Sequence, residues 1–152
     1  MKTKLLIAPL LLVLCFSATA LRAGTPEQEK EFTTKYKTAY EAKDTATLHS
    51  FLYTKDANPM ALEFFKMMMT NGAGEKISKI ELVDLSPEDA KEAAGTRDGP
   101  GGIKTRLPLK PTKKLRITVE AKSGDNTSSS TSETFVAEKD GKFVLPVPVT
   151  AK

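Results

Sequence analysis

Few side chains in this sequence could carry acid–base chemistry. His49 is the single histidine among 152 residues, which excludes a metal site with two histidine ligands and a relay between histidines. As a general base, His49 would need an orienting carboxylate, for which Asp44 and Asp56 are the candidates. Because its neighbour Leu48 belongs to an apolar helical stripe, we expect His49 at the margin of that stripe, as a structural or surface histidine.

Two tyrosines and one aspartate complete the set. Tyr36 and Tyr40 are one helical turn apart, so their hydroxyls could enter one cavity, although core aromatics with hydroxyls at a polar edge fit the same spacing. Strand alternation puts Asp84 on the face of Ile80 and Leu82, either as an inward carboxylate or as a strand end. The candidates for lining a ligand pocket are Tyr36, Tyr40, His49 and Asp84, and we assign none of them a catalytic role.

Composition excludes several kinds of site. Cys15 is the only cysteine and lies in an apolar N-terminal segment, so residues 24–152 can form no disulfide, thiolate nucleophile or cysteine-bound metal site. We therefore expect no metal and no cofactor. Three of the 23 basic residues also lie before residue 24, so the remaining chain is near neutral despite the formal charge of +4.

Basic residues gather in one stretch without an acidic one. No aromatic residue lies among them for stacking on bases, and prolines at 108 and 111 break any basic helix. We interpret the stretch as a solvated loop and expect no nucleic-acid partner. Its basic members are Lys104, Arg106, Lys110, Lys113, Lys114 and Arg116.

Residues 1–23 have the layout of a secretory signal peptide. Lys2 and Lys4 give a positive start, residues 5–16 are apolar, and small residues follow up to Ala20. The run is interrupted by proline and is shorter than the roughly 20 residues of a membrane span, so we expect no stable membrane insertion after cleavage. Cleavage after Ala20 and after Ala23 both fit. Lipid attachment at Cys15 is less favoured, since the residue before it is bulky. The predicted location is periplasmic or secreted.

The rest, residues 24–152, is predicted as one domain. Three helices begin at the cap signals Thr25-Pro26, Asp44 and Asn58-Pro59. Their apolar residues Phe32, Tyr36, Leu48, Phe51, Leu52 and Phe65 are expected to pack on sheet residues Ile80, Leu82, Ile117, Val119, Phe135 and Phe143. The predicted later elements are a strand at 77–85, a short helix at 86–94, a flexible Gly/Pro-rich loop at 95–111, strands at 115–121, 127–138 and 142–149, and turns at 123–126 and 140–141.

This order, helices and then a mostly antiparallel sheet, is typical of an α+β fold. The stretches Tyr40–Leu48 (YEAKDTATL) and Phe135–Leu145 (FVAEKDGKFVL) resemble the nuclear-transport-factor-2-like superfamily, which includes the SnoaL-like and ketosteroid-isomerase-like proteins. The resemblance implies N-terminal helices packed on a curved, cone-like sheet that encloses a pocket. It also implies that both binding proteins and enzymes are to be considered.

The absence of a nucleophile paired with a base favours a binding function. We expect an exported small binding or interaction domain without catalytic activity, whose partner is a small molecule or a protein and which could form a homodimer. The alternative is a SnoaL-like enzyme that acts on a small organic molecule by acid–base chemistry in its pocket. A third possibility is an interaction protein that docks a partner through its Ser/Thr-rich strand or its basic loop.

Overall fold

The computed structural model describes residues 24–123 and 126–152. Helices come first: α1 (Pro26–Glu41), α2 (Thr45–Ser50) and α3 (Pro59–Thr70), with the two-residue strand β1 (Leu52–Tyr53) between the last two. Strand β2 (Lys76–Asp84) and helix α4 (Pro87–Ala94) follow. The remaining strands are β3 (Arg97–Asp98), β4 (Lys104–Arg106), β5 (Lys113–Ser123), β6 (Asn126–Lys139), β7 (Lys142–Pro146) and β8 (Val149–Thr150). This is the predicted α+β fold.

Each helix begins at the residue that the sequence indicated. Thr25 and Gln28 form a reciprocal capping box on α1, Asp44 accepts the backbone N–H of Thr47 in α2, and Asn58 accepts that of Ala61 in α3. Ser86 caps α4 in the same way. Local side-chain hydrogen bonds therefore set these four starts, because the first N–H groups of a helix have no partner within it.

The main sheet has five strands in the order β1-β7-β6-β5-β2. All neighbours run antiparallel except β1 and β7. Asp140 and Gly141 take positive φ angles of 52° and 72° and join β6 to β7 in the predicted two-residue hairpin. The predicted turn at 123–126 includes residues 124–125, which lie outside the described part of the chain.

A second sheet was not predicted. Residues 95–111, expected to be a loop, contain β3, a 3₁₀ turn at Pro100–Gly102, and β4. Strand β4 pairs with β3 on one side and with β8 at the end of the chain on the other. This pairing holds the C-terminal residues beside α3, where the backbone N–H of Asn58 donates to the carbonyl of Pro148.

The core lies between α1, α2 and one face of the main sheet. Phe32 is in contact with the rings of Phe51 and Phe143, at centroid distances of 5.2 and 5.7 Å. The predicted core residues Phe32, Tyr36, Leu48, Phe51, Ile117, Val119 and Phe143 are buried, and Leu52, Ile80 and Leu82 are partly buried against them. Phe65 and Phe135 are only half-buried and line a groove described below. Within the described residues no helix is long and apolar enough to cross a membrane.

Candidate functional site

The two tyrosine candidates belong to the hydrophobic core. The rings of Tyr36 and Tyr40 are stacked with centroids 6.5 Å apart, and the Tyr40 hydroxyl donates to the carbonyl oxygen of Asn71 at the end of α3. Burial raises the pKa of both phenols, with a further contribution from Tyr40 on Tyr36 and from Glu75 on Tyr40. Both phenols therefore stay protonated at neutral pH, and Tyr40 serves to fasten α1 to α3.

His49 is half-buried near the end of α2, and its Nε2 atom is buried without a hydrogen-bond partner among the described residues. The carboxylate considered as its orienting group, Asp44, caps the same helix instead. Asp44 accepts hydrogen bonds from the backbone N–H and the hydroxyl of Thr47, which lower its pKa. Within the described residues, neither Asp44 nor the other candidate, Asp56, forms a hydrogen bond with His49 Nε2, as a carboxylate that orients a catalytic base could.

Asp84 does not point into a pocket. It shares the helix-facing side of β2 with Leu82, as alternation predicted, but it is the last residue of the strand and its side chain is 89 % exposed. There it forms an ion pair with Lys113 at 2.9 Å, and Lys113 also contacts Glu29 of α1 at 2.9 Å. The hydrogen bonds that the Lys113 ammonium donates to Asp84 and to Glu29 raise the pKa of Lys113, and the bond to Asp84 has the larger effect. The strand-end alternative is the one that the structure shows.

The basic stretch is largely neutralised where it enters the sheet. Lys114 bridges Asp89 of α4 and Glu133 of β6, and Arg116 bridges Glu133 and Glu81. The hydrogen bond from Lys114 holds the pKa of Asp89 at about 2, together with bonds from Ser86. These side chains fasten α4 and three strands to one another, so they do not form a patch open to an anionic polymer.

Four of the five exposed large hydrophobic residues in the described part of the chain lie along one side of α3. Met60, Phe64, Met67 and Met68 are exposed by 48 %, 45 %, 62 % and 38 %. Their spacing of four, three and one residues puts all four on one helical face. We call these four residues the α3 stripe. A surface of this kind, with large side chains in contiguous positions, commonly marks a binding site in a soluble protein.

A groove of about 300 Å³ continues from the α3 stripe to the main sheet. It opens where β7 diverges from β6 beyond the pair Ala137–Val144, and we call it the fork groove. Phe64, Phe65 and Met68 of α3 form one wall, Phe135 of β6 another, and Pro146 and Pro148 its base. The volume lies at the lower end of the range for small-molecule sites.

One cation lies in the fork groove. The guanidinium carbon of Arg97 is 5.3 Å from the centre of the Phe135 ring, close enough for a cation–π contact. Arg97 also donates to the backbone carbonyl of Glu92 at 3.1 Å and lies 3.4 Å from its carboxylate. The charge of Arg97 is therefore already balanced, and the groove presents a mainly apolar lining.

The run Met67-Met68-Met69, close to Phe64 and Phe65, is the sequence signal for this surface. Helix α3 is apolar on nearly every side and buries only Ala61 and Met69 fully. A small domain cannot cover all sides of such a helix. Two further cavities, beside α4 and at the β6–β7 turn, have volumes of about 350 and 500 Å³. None of the three cavities is lined by Tyr36, Tyr40, His49 or Asp84.

No protein-family model, no curated protein and no solved structure matches this chain. Within residues 24–123 and 126–152, no group of three or more His, Cys, Asp or Glu side chains is placed to hold a metal ion.

Proposed function

We propose that this chain is an exported binding domain, without catalytic activity, that takes an apolar ligand in the fork groove and along the α3 stripe. The observation that carries the proposal is the continuity of the two surfaces: Phe64 and Met68 belong both to the exposed stripe and to the wall of the groove. An apolar ligand that covers them removes their exposed surface from water, which favours binding by about 25 cal/mol for each Å².

The chemistry of the surroundings also favours an apolar ligand. Arg97 is paired with Glu92, and Glu133 with Lys114 and Arg116, so an ionic ligand would have to compete with these ion pairs. Methionine side chains are flexible and polarizable and adapt to ligands of different shape. Export is supported by the pattern of residues 1–23, which lie outside the described residues. The order of helices, strand and antiparallel meander supports the resemblance to the nuclear-transport-factor-2-like superfamily.

Binding of N-phenyl-1-naphthylamine, an apolar dye that fluoresces when it leaves water, tests the site. We expect saturable binding by the wild type and at least tenfold weaker binding by the double variant Phe64→Ser/Met68→Ser, because each exchange removes about 1 kcal/mol of apolar contact. Ile103→Ser is the matched control, since Ile103 is exposed to a similar extent but lies outside α3.

Equal dye affinity in the wild type and the double variant, with Ile103→Ser unchanged, would reject the site. Thermal unfolding of the wild type and both variants checks that the exchanges leave the fold intact, as expected for exposed positions.

A further inference from the structure

The two long edges of the main sheet are treated differently by the rest of the chain. Strand β2 forms one edge, and its outward backbone groups at Ile77 are bonded to α1: the N–H donates to Glu41 at 3.0 Å and the carbonyl accepts from Lys37 at 2.9 Å. A register shift between Ile77 and Lys79 adds a bulge to this strand. Charged side chains, a bulge and covered backbone groups are the usual devices that keep an edge strand from pairing with another chain.

The opposite edge, at residues 127–132 of β6, has none of these devices among its described residues. Strand β7 pairs with β6 only from Ala137 to Lys139, so residues 127–136 have β5 on one side and no strand on the other. Residues 127–132 are all serine or threonine and all exposed. Within this stretch there is no charge, no proline and no interruption of the register with β5.

The hairpin register shows which backbone groups face the open side. Lys139 and Lys142 flank a two-residue turn, so Lys139 and then Ala137 direct their N–H and C=O groups toward β7. By the alternation of an antiparallel ladder, Thr131, Ser129 and Thr127 direct theirs to the same side. Beyond the point where β7 leaves β6, these backbone groups have no neighbouring strand among the described residues.

We propose that this edge, residues 127–132 of β6, pairs antiparallel with the same edge of a second copy of this chain and forms a two-fold dimer with a continuous sheet. The uncharged stretch is complementary to itself, because the antiparallel pair places hydroxyl side chains opposite hydroxyl side chains and no like charges opposite each other. A charged partner would meet no side chain of opposite charge in residues 127–132. The same pairing at β2 is blocked by α1 and would bring Lys79 and Glu81 into the contact.

The dimer is expected to be weak, because a pair of short strands buries less than the roughly 1,200 Å² of a small stable interface. We therefore expect sedimentation equilibrium of the full chain to show a monomer at micromolar concentration and a dimer as the concentration approaches roughly 0.3 mM. A chain that stays monomeric over this whole range would overturn the proposal.

Thr131→Pro removes one outward N–H without removing a bond to β5. We expect the dissociation constant of the dimer to rise at least tenfold, with an unchanged unfolding temperature, because proline is tolerated on the open side of an edge strand. Thr131→Val keeps both the N–H and the shape and should remain dimeric. If Thr131→Pro fails to fold, Ser129→Lys decides, since Ser129 lies at the middle of the paired stretch and its two copies would place ammonium groups opposite each other across the dimer axis. If the dimer persists unchanged in the deciding variant, its interface lies elsewhere and the proposal is wrong.

Discussion

At the scale of single residues, burial separates phenylalanines that the sequence alone could not distinguish. Phe32 and Phe64 are both helical and both have apolar neighbours, yet Phe32 lies between Phe51 and Phe143 whereas Phe64 is 45 % exposed. The helical spacing of Phe32, Tyr36 and Tyr40 predicted their core positions, because the stripe has a polar opposite face. Helix α3 has no such contrast, and its orientation depends on distant contacts that the local pattern does not contain.

This difference predicts the effects of two equal exchanges. Phe32→Ala should lower the free energy of unfolding by about 3–5 kcal/mol, since it leaves a cavity in the aromatic cluster. Phe64→Ala should change it by no more than about 0.5 kcal/mol, as expected for an exposed side chain. Urea unfolding followed by circular dichroism measures both, and similar losses in the two variants would contradict the assignment of α3 as an exposed surface.

At the scale of elements, the sequence predicted what is decided locally. The four helix starts and the Asp140-Gly141 hairpin each depend on residues within four positions of one another, and all are found in the structure. The second sheet was missed because its strands have two or three residues and pair across long stretches of chain, as Thr105 does with Thr150. Strands this short carry no alternation that could be recognised.

Helix α4 is held against the sheet by charge, which predicts a dependence on pH. The folded pKa of Asp89 is about 2, below its ordinary value of 3.8, mainly because Lys114 donates a hydrogen bond to it. A carboxylate whose pKa is lowered by folding stabilises the protein above its unfolded pKa, and this contribution is lost as the pH falls through the folded value. Asp89 therefore contributes to stability above about pH 4 and loses that contribution between about pH 4 and pH 2.

Asp89→Asn should accordingly lower the unfolding temperature at pH 7, and the difference from the wild type should shrink as the pH falls from 4 to 2. Differential scanning calorimetry at several pH values measures the difference. Glu88→Gln, an exchange at the exposed neighbouring position, should follow the wild-type curve throughout. If the effect of Asp89→Asn is independent of pH, the ion pair with Lys114 does not hold α4.

At the scale of the whole molecule, the distribution of charge was predicted less well than the fold. The run of basic residues from Lys104 to Arg116 appears unopposed in the sequence, but Lys114 and Arg116 meet acidic residues from β2, α4 and β6. Such pairing depends on strand register and on where α4 lies. The four proposed pocket residues lie on α1, α2 and the end of β2, and none of them lines one of the three cavities described above.

The contacts of Gly24 bear on the proposed cleavage of residues 1–23. The backbone nitrogen of Gly24 donates to the Glu138 carboxylate at 2.7 Å, next to the ring of Phe143. Gly24 has a φ of +44°, and a Cβ atom there would collide with the Phe143 ring, so only glycine fits this position. Cleavage after Ala23 would turn this nitrogen into an ammonium group that faces a carboxylate.

If residues 1–23 are a signal peptide, as proposed above, we predict that the exported protein begins at Gly24, which favours cleavage after Ala23 over cleavage after Ala20. Intact-mass measurement of the exported chain should give the mass of residues 24–152, whereas a chain beginning at Leu21 or retaining Met1 would contradict the prediction.

With an ammonium group at Gly24, Glu138→Gln breaks an ion pair and should cost about 1 kcal/mol, a few degrees in unfolding temperature. Glu120→Gln, at an exposed position on β5, is the control and should leave the unfolding temperature unchanged. In a chain expressed from Leu21 the same nitrogen is an uncharged amide, so the effect of Glu138→Gln should be smaller there, and an equal effect in both chains would show that the charge of the new terminus plays no part.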